Sequence, residues 1–299
     1  MHSRREFLKS VFAATVLGFD LPSLAATAQA PVFHGDAVFH RIVDKAHAEK
    51  WTALEIGELM GRIAHELLNT PYVAGTLEVE LDREVCTVNL EGLDCVTFFE
   101  STLDMARMLK KGKSKPEDLV AEVEFTRYRG GKRGDYSTRL HYTSDWLYDN
   151  QTKGVVRVLD DLPGMEPFPL HVGFMTEHRD KYQQLAKHPE LVKEMKVVED
   201  RINKRSMKYV PVKNIEAAQK ELRTGDIVGI CTNIPGLDIT HTGLVVSDDK
   251  GEPRFANASS AKGVMKVVVN PKSLTEALAR SEHNVGAVFA RPQWAKERG

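Results

Sequence analysis

Three cysteines, Cys86, Cys95 and Cys231, are the candidate nucleophiles of this 299-residue chain, because a thiol attacks carbonyl carbon wherever its surroundings favour the anion. Cys86 falls in an alternating, strand-like run and Cys231 closes the apolar run Ile227 to Cys231, so both read as small packing residues. Cys95 differs. It follows Gly92-Leu93-Asp94 and stands at the first turn of an expected helix. There the unpaired backbone N–H groups and about half a positive charge depress a thiol pKa and offer donors to an oxyanion. A cysteine at a helix start is as readily structural as chemical, so a base is required.

Eleven histidines are available, and most stand in loops or on polar helices. His241 stands within Gly236-Leu237-Asp238-Ile239-Thr240-His241-Thr242-Gly243-Leu244-Val245-Val246, an apolar strand carrying one imidazole. Strand alternation puts His241 and Gly243 on one face and Thr242 and Leu244 on the other, and the glycine leaves room beside the ring. A third group must orient that ring. The next expected strand, Phe255-Ala256-Asn257-Ala258-Ser259, offers the Asn257 carbonyl, with Ser259 as the substitute on the same face. Neither His-x-x-x-His nor Cys-x-x-Cys occurs, so neither a metal nor any other cofactor is expected.

The elements that must position these groups follow from periodicity. Apolar residues Leu54, Leu59, Ile63 and Leu67 predict a helix over Trp51 to Asn69, opened by a Thr52/Glu55 capping box and closed by Thr70-Pro71. The alternation from Thr76 to Leu90 predicts a short hairpin or irregular strand pair. Asp94 is the expected N-cap of a central core helix reaching about Leu109. Mixed structure follows, with a basic loop at Arg127, Arg129, Lys132 and Arg133, and a charged helical surface stretch from Lys181 to Lys204. The runs Asp226 to Cys231, Ile239 to Ser247, Pro253 to Asn257, Val264 to Asn270 and Val285 to Arg291 predict an antiparallel sheet of sequence neighbours. Helices first and strands afterwards give an α+β fold, N-terminal helices packed on a C-terminal antiparallel sheet, with a mixed insertion at approximately 112–212 between the halves.

Composition narrows the function. Hydrophobic residues make up 42% and charged residues 28%, and 41 Lys and Arg nearly cancel 42 Asp and Glu, so nucleic acid is not an expected partner. Three cysteines cannot form a disulfide scaffold, and at least one thiol is left unpaired within the chain. Residues 1–28 read as a signal peptide: basic Arg4, Arg5 and Lys9, an apolar stretch from Val11 to Leu24, then small residues ending at Ala28. Ser3-Arg4-Arg5-Glu6-Phe7-Leu8-Lys9 is similar to the twin-arginine export signal. The expectation is a single catalytic domain over 29–299, exported to a bacterial periplasm, with no membrane span in the mature form.

The order of helix-start cysteine, strand histidine and polar residue on the following strand resembles the NlpC-type cell-wall peptidases, which have a papain-like core. Pro71-Tyr72-Val73-Ala74-Gly75 is similar to their tyrosine motif, and Gly92-Leu93-Asp94-Cys95 to their nucleophile motif, though Val96-Thr97 replaces the small pair usual after the cysteine. Asp94-Cys95-Val96-Thr97-Phe98, Leu140-His141-Tyr142-Thr143-Ser144-Asp145-Trp146 and Pro235-Gly236-Leu237-Asp238-Ile239-Thr240-His241 together resemble one branch, the N-acetylmuramoyl-L-alanine amidase-like family. The resemblance implies a cysteine amidase acting on a muropeptide or peptidoglycan fragment, with Cys95, His241 and Asn257 catalytic and Tyr72 helping to hold the oxyanion. The wider superfamily implies instead a γ-D-glutamyl-diamino acid endopeptidase. A zinc amidase, a non-catalytic muropeptide-binding protein and an acyltransferase or thioesterase are the rival classes. His141, Tyr142, Asp145 and Trp146 are the candidate cleft lining; the i to i+4 spacing of Tyr142 and Trp146 equally fits a helix packing pair.

Overall fold

A computed structural model describes residues 31–294. The expected signal segment, 1–28, lies outside the described residues. Strand β1 (Val32–His34) leads into α1 (Asp36–Ala48), then α2 (Ile56–Glu66), β2 (Thr87–Asn89), α3 (Cys95–Lys110), α4 (Pro116–Arg127) and α5 (Thr143–Thr152). Next come β3 (Val156–Val158), β4 (Glu166–Phe168), α6 (Phe174–Glu177), α7 (Gln183–Lys187), α8 (Leu191–Ile202), β5 (Met207–Pro211) and α9 (Ile215–Ala218). The chain ends in β6 (Ile227–Thr232), β7 (Ile239–Ser247), β8 (Pro253–Ser259), β9 (Lys266–Val269), α10 (Leu274–Leu278) and β10 (Asn284–Pro292). The fold is thus α+β, helices with an antiparallel sheet. Among the described residues no helix is long and apolar enough to cross a membrane.

The main sheet has eight strands in the order β4-β5-β10-β6-β7-β8-β9, with β3 also pairing β10. Neighbour pairing holds for β6 through β9, but the last strand returns to lie against β6. Residues 112–212 supply β3 and β5, which pair β10 along its other edge, and β4, which pairs β5.

Two expected elements are different. The Thr52/Glu55 capping box does not form: Trp51–Ala53 is a separate 3-10 turn, Leu54 is extended (φ −67°, ψ 159°), and α2 starts at Ile56 with no side-chain cap. Trp51 is buried in the main apolar core, and burying so large a ring outweighs a cap worth about 1 kcal/mol. The Thr76 to Leu90 hairpin is absent as well; only Thr87–Asn89 is strand, paired in parallel with β1.

Helix α3 is the centre of the molecule. Residues Thr97 to Leu109 are all buried, and α3 packs on α2, α4, β7 and β8. Burial on every side explains the polar residues it carries: Glu100 accepts from Arg127 Nε at 2.8 Å and from Trp146 Nε1 at 3.0 Å, and Asp104 accepts from Thr126 Oγ1 at 2.8 Å. Buried ionic groups require partners of this kind.

Candidate active site

Asp94 builds the start of α3. Its carboxylate accepts from the Val96 and Thr97 N–H groups at 3.0 and 2.8 Å, while the Thr97 hydroxyl accepts from the Asp94 N–H at 2.9 Å. This capping box fixes Cys95 as the first helical residue. The helix start is in turn tied to the sheet, because the Thr242 hydroxyl donates to the Cys95 carbonyl at 2.8 Å. The Thr242 hydroxyl and backbone N–H both favour the Cys95 anion by hydrogen bonding. The sulfur therefore lies beside the peptide that joins His241 to Thr242.

Thr242 thus faces α3, as does Leu244 within the core that α3 occupies, while Val245 packs in a second apolar cluster with Phe255. On that second face the His241 ring meets Phe255 edge-on at 6.0 Å between centroids. The Nε2–H of His241 donates to Asn257 Oδ1 at 3.0 Å, which leaves Nδ1 as the ring's free lone pair. Asn257 is 5% exposed and so is held firmly. Among the described residues no hydrogen bond joins the Cys95 sulfur to the imidazole; the two groups meet only through the 241–242 backbone. Gly243 serves β8 rather than the ring: a Cβ there would lie 2.3 Å from the Ala256 carbonyl oxygen and 2.7 Å from the Phe255 ring.

The expected depression of the thiol pKa by the helix start is not what the structure gives. Burial pushes the Cys95 thiol up to about 11, the Asp94 carboxylate adds to the rise, and the Thr242 hydrogen bonds oppose it. Desolvation of the thiol exceeds any help from the helix start here. Burial likewise holds His241 below its ordinary value, with the Asn257 bond opposing and the Arg280 guanidinium assisting. Both directions favour a neutral thiol beside a neutral imidazole. Cys86 is buried and pushed up to about 11, and burial holds Cys231 well above its ordinary value.

Tyr72 is adjacent to this pair. Its segment bridges Leu93 in the nucleophile loop, and its hydroxyl bonds Ser260 close enough to Cys95 and Asp94 for both to oppose its ionisation, though burial is the larger cause. Tyr72 consequently keeps its proton and remains a donor. Among the described residues no hydrogen bond joins Ser259 to the ring; its Oγ accepts from the Ala261 N–H at 3.3 Å, and it lines the same cleft as His241.

The candidate cleft lining is placed elsewhere. Tyr142 is buried, donating to Glu199 Oε1 at 2.8 Å and accepting from the Met175 N–H at 3.0 Å. Asp145 is buried between Arg129 and Arg205, and Trp146 packs edge-on against Phe99 at 4.9 Å. His141 Nε2–H donates to the Tyr136 carbonyl at 2.8 Å. Asp145 and Trp146 lie on the buried face of α5, Tyr142 is buried just ahead of it and His141 is half-buried, and none of the four lines the cleft beside His241. The cleft beside His241 is lined instead by Ile230, Phe255, Asn257, Ser260, Asn270 and Arg280, among others. Asp238 was also missed. It is buried, accepts from the Ser144 and Ile239 N–H groups at 2.7 Å each, and so fastens the start of α5 to the start of the histidine strand. Among the described residues no cluster of His, Cys, Asp and Glu is arranged to hold a metal.

The AmiA-like family, N-acetylmuramoyl-L-alanine amidase-like, matches residues 62–282, and the chain belongs to that family. A crystal structure of an N-acetylmuramoyl-L-alanine amidase from Bacteroides uniformis is similar at TM-score 0.74 and 30% identity, over 80% of this chain and 99% of that one. A provisionally named xylanase from Bacteroides fragilis is similar at TM-score 0.70 and 31% identity, over 78% and 99%. A Legionella pneumophila protein is similar at TM-score 0.64 over 87% and 96%, and at 20% identity that likeness bears on the fold alone. No curated protein matches the sequence.

Proposed function

We propose that this protein is a cysteine-dependent N-acetylmuramoyl-L-alanine amidase of the NlpC-type, papain-like superfamily, acting on muropeptides in a periplasm reached through a twin-arginine signal. The observation that carries the reading is the His241–Asn257 bond at 3.0 Å on the strand whose next residue, Thr242, anchors Cys95. Family membership supplies the bond class, an amide between a lactyl group and L-alanine. In the reaction His241 Nδ1 takes the thiol proton as the sulfur bonds to the lactyl carbonyl carbon. Tyr72 and the Cys95 backbone N–H donate to the resulting oxyanion. Collapse of that adduct breaks the C–N bond, and the imidazolium returns its proton to the departing alanine amine. Water, deprotonated by His241, then cleaves the thioester to a lactyl carboxylate and the free thiol. Because both partners rest neutral, the proton moves as substrate binds and brings ring and sulfur to working distance, as hydrogen bonds at unoccupied sites commonly tighten.

A glycosidase, as the xylanase name suggests, needs two carboxylates flanking the bond; among the described residues no Asp or Glu lines the cleft. The test is mass spectrometry of products from defined muropeptides. Free N-acetylmuramic acid plus a peptide beginning at L-alanine supports the amidase. Cleavage after D-glutamate supports the endopeptidase, and no cleavage of any of these substrates by the wild type removes both.

A further inference from the structure

The cleft beside His241 holds about 400 Å³ and is walled by apolar Ile230 and Phe255 and by uncharged polar side chains such as Asn270 and Asn284. One permanent charge faces it, that of Arg280. This guanidinium is exposed, makes no ion pair among the described residues, and shares its cleft with no carboxylate. Its backbone is fixed. Ala277 and Leu278 are buried in the second apolar cluster, Asn284 Nδ2 donates to the Leu278 carbonyl at 2.8 Å, and the Asn284 N–H donates to the Ser281 carbonyl at 3.0 Å. An arginine fork presented from a rigid turn, with no ion-pair partner among the described residues and no carboxylate lining the cleft, is prepared for a carboxylate brought by a ligand.

Chemistry decides which carboxylate. The imidazolium of His241 protonates the leaving amine, so the groups that share the cleft with His241, and not with Cys95, meet the departing peptide. Resting on the amidase reading above, we propose that Arg280 is a subsite for the free α-carboxylate of a γ-linked glutamyl residue, one position beyond the alanine released. A residue spans about 3.3–3.6 Å of extended chain, so this acid is the first anion downstream of the cleaved bond. Arg280 adds the same effect at a distance, helping hold His241 in the neutral, proton-accepting form.

The experiment compares N-acetylmuramoyl-L-Ala-D-Glu blocked as its γ-methylamide with the D-isoglutamine γ-methylamide analogue, so that no γ-carboxylate remains and the α-group, carboxylate or neutral amide, is the one difference. Wild type should prefer the acid about tenfold in kcat/KM, the size of one charge-assisted hydrogen bond at a half-open site; Arg280→Met should bring the ratio to about one, and Arg280→Lys should restore part of it. Calorimetry of L-Ala-D-Glu and L-Ala-D-isoglutamine, both blocked as γ-methylamides, on the same variants gives a readout independent of turnover. A preference retained in Arg280→Met, or absent from wild type in both assays, overturns the subsite. Acid-selective, Arg280-dependent dipeptide binding by a chain that hydrolyses neither substrate would uphold the subsite while removing the amidase.

Discussion

The Thr242 hydroxyl donates to the Cys95 carbonyl at 2.8 Å, so the first residue of the buried helix is fastened to the strand one residue away from His241. Thr242 is 1% exposed, and valine has nearly its shape without the hydroxyl. Thr242→Val should cost on the order of 1 kcal/mol in denaturant unfolding and lower kcat, since the hydroxyl also favours the thiolate. Thr242→Ser should recover most of both. Equal activity in the valine variant would show that the anchor plays no part in turnover.

Thiol reactivity follows burial. With Cys95 pushed up to about 11, alkylation by iodoacetamide in the unliganded enzyme should be slow at neutrality and rise with pH well past 9. Asp94→Asn removes a charge that raises the thiol while asparagine caps a helix about as well as aspartate, so its alkylation curve should move to lower pH with little change in stability. Cys95→Ser should lose about a thousandfold or more in kcat, whereas Cys86→Ala should lose stability while keeping turnover.

Asn257 controls the base. Because the His241 pKa is held below 6.5, its neutral form persists to lower pH than a free histidine's, and the acid limb of kcat/KM should fall below pH 6.5. Asn257→Asp places a carboxylate against the ring, favours the imidazolium and should shift that limb upward. Asn257→Ala frees the ring and should cost about tenfold or more in kcat, an effect read directly from the pH–rate profile.

The block around Trp146 concerns stability. Arg127→Met would leave the Glu100 carboxylate, 1% exposed, without its ion pair and should destabilise by about 3–5 kcal/mol. Trp146→Phe removes the N–H that donates to Glu100 at 3.0 Å and should cost about 1–2 kcal/mol. Muropeptide KM should be unchanged in Trp146→Phe; a raised KM would return Trp146 to the substrate cleft.

Much of this was readable from sequence because it is local. Asp94 as N-cap depends on the residues within one helical turn. Strands β6 to β10 were recognisable from their alternation, with ends shifted by one or two residues. His241 and Asn257 could be paired in advance because they stand on strands joined by a short turn, where alternation alone puts them on one face. Tertiary structure alone decided the rest. The sequence cannot say that α3 is buried on all sides from Thr97 to Leu109, or that desolvation of the Cys95 sulfur reverses the sign of the expected thiol shift. Nor does local pattern reveal that Asp145 sits between Arg129 and Arg205, or that Asp238 reaches Ser144, 94 positions away in the chain. Periodicity reports which face of an element is apolar, whereas desolvation and charge pairing depend on what other segments bring to that face, and these come from distant parts of the chain.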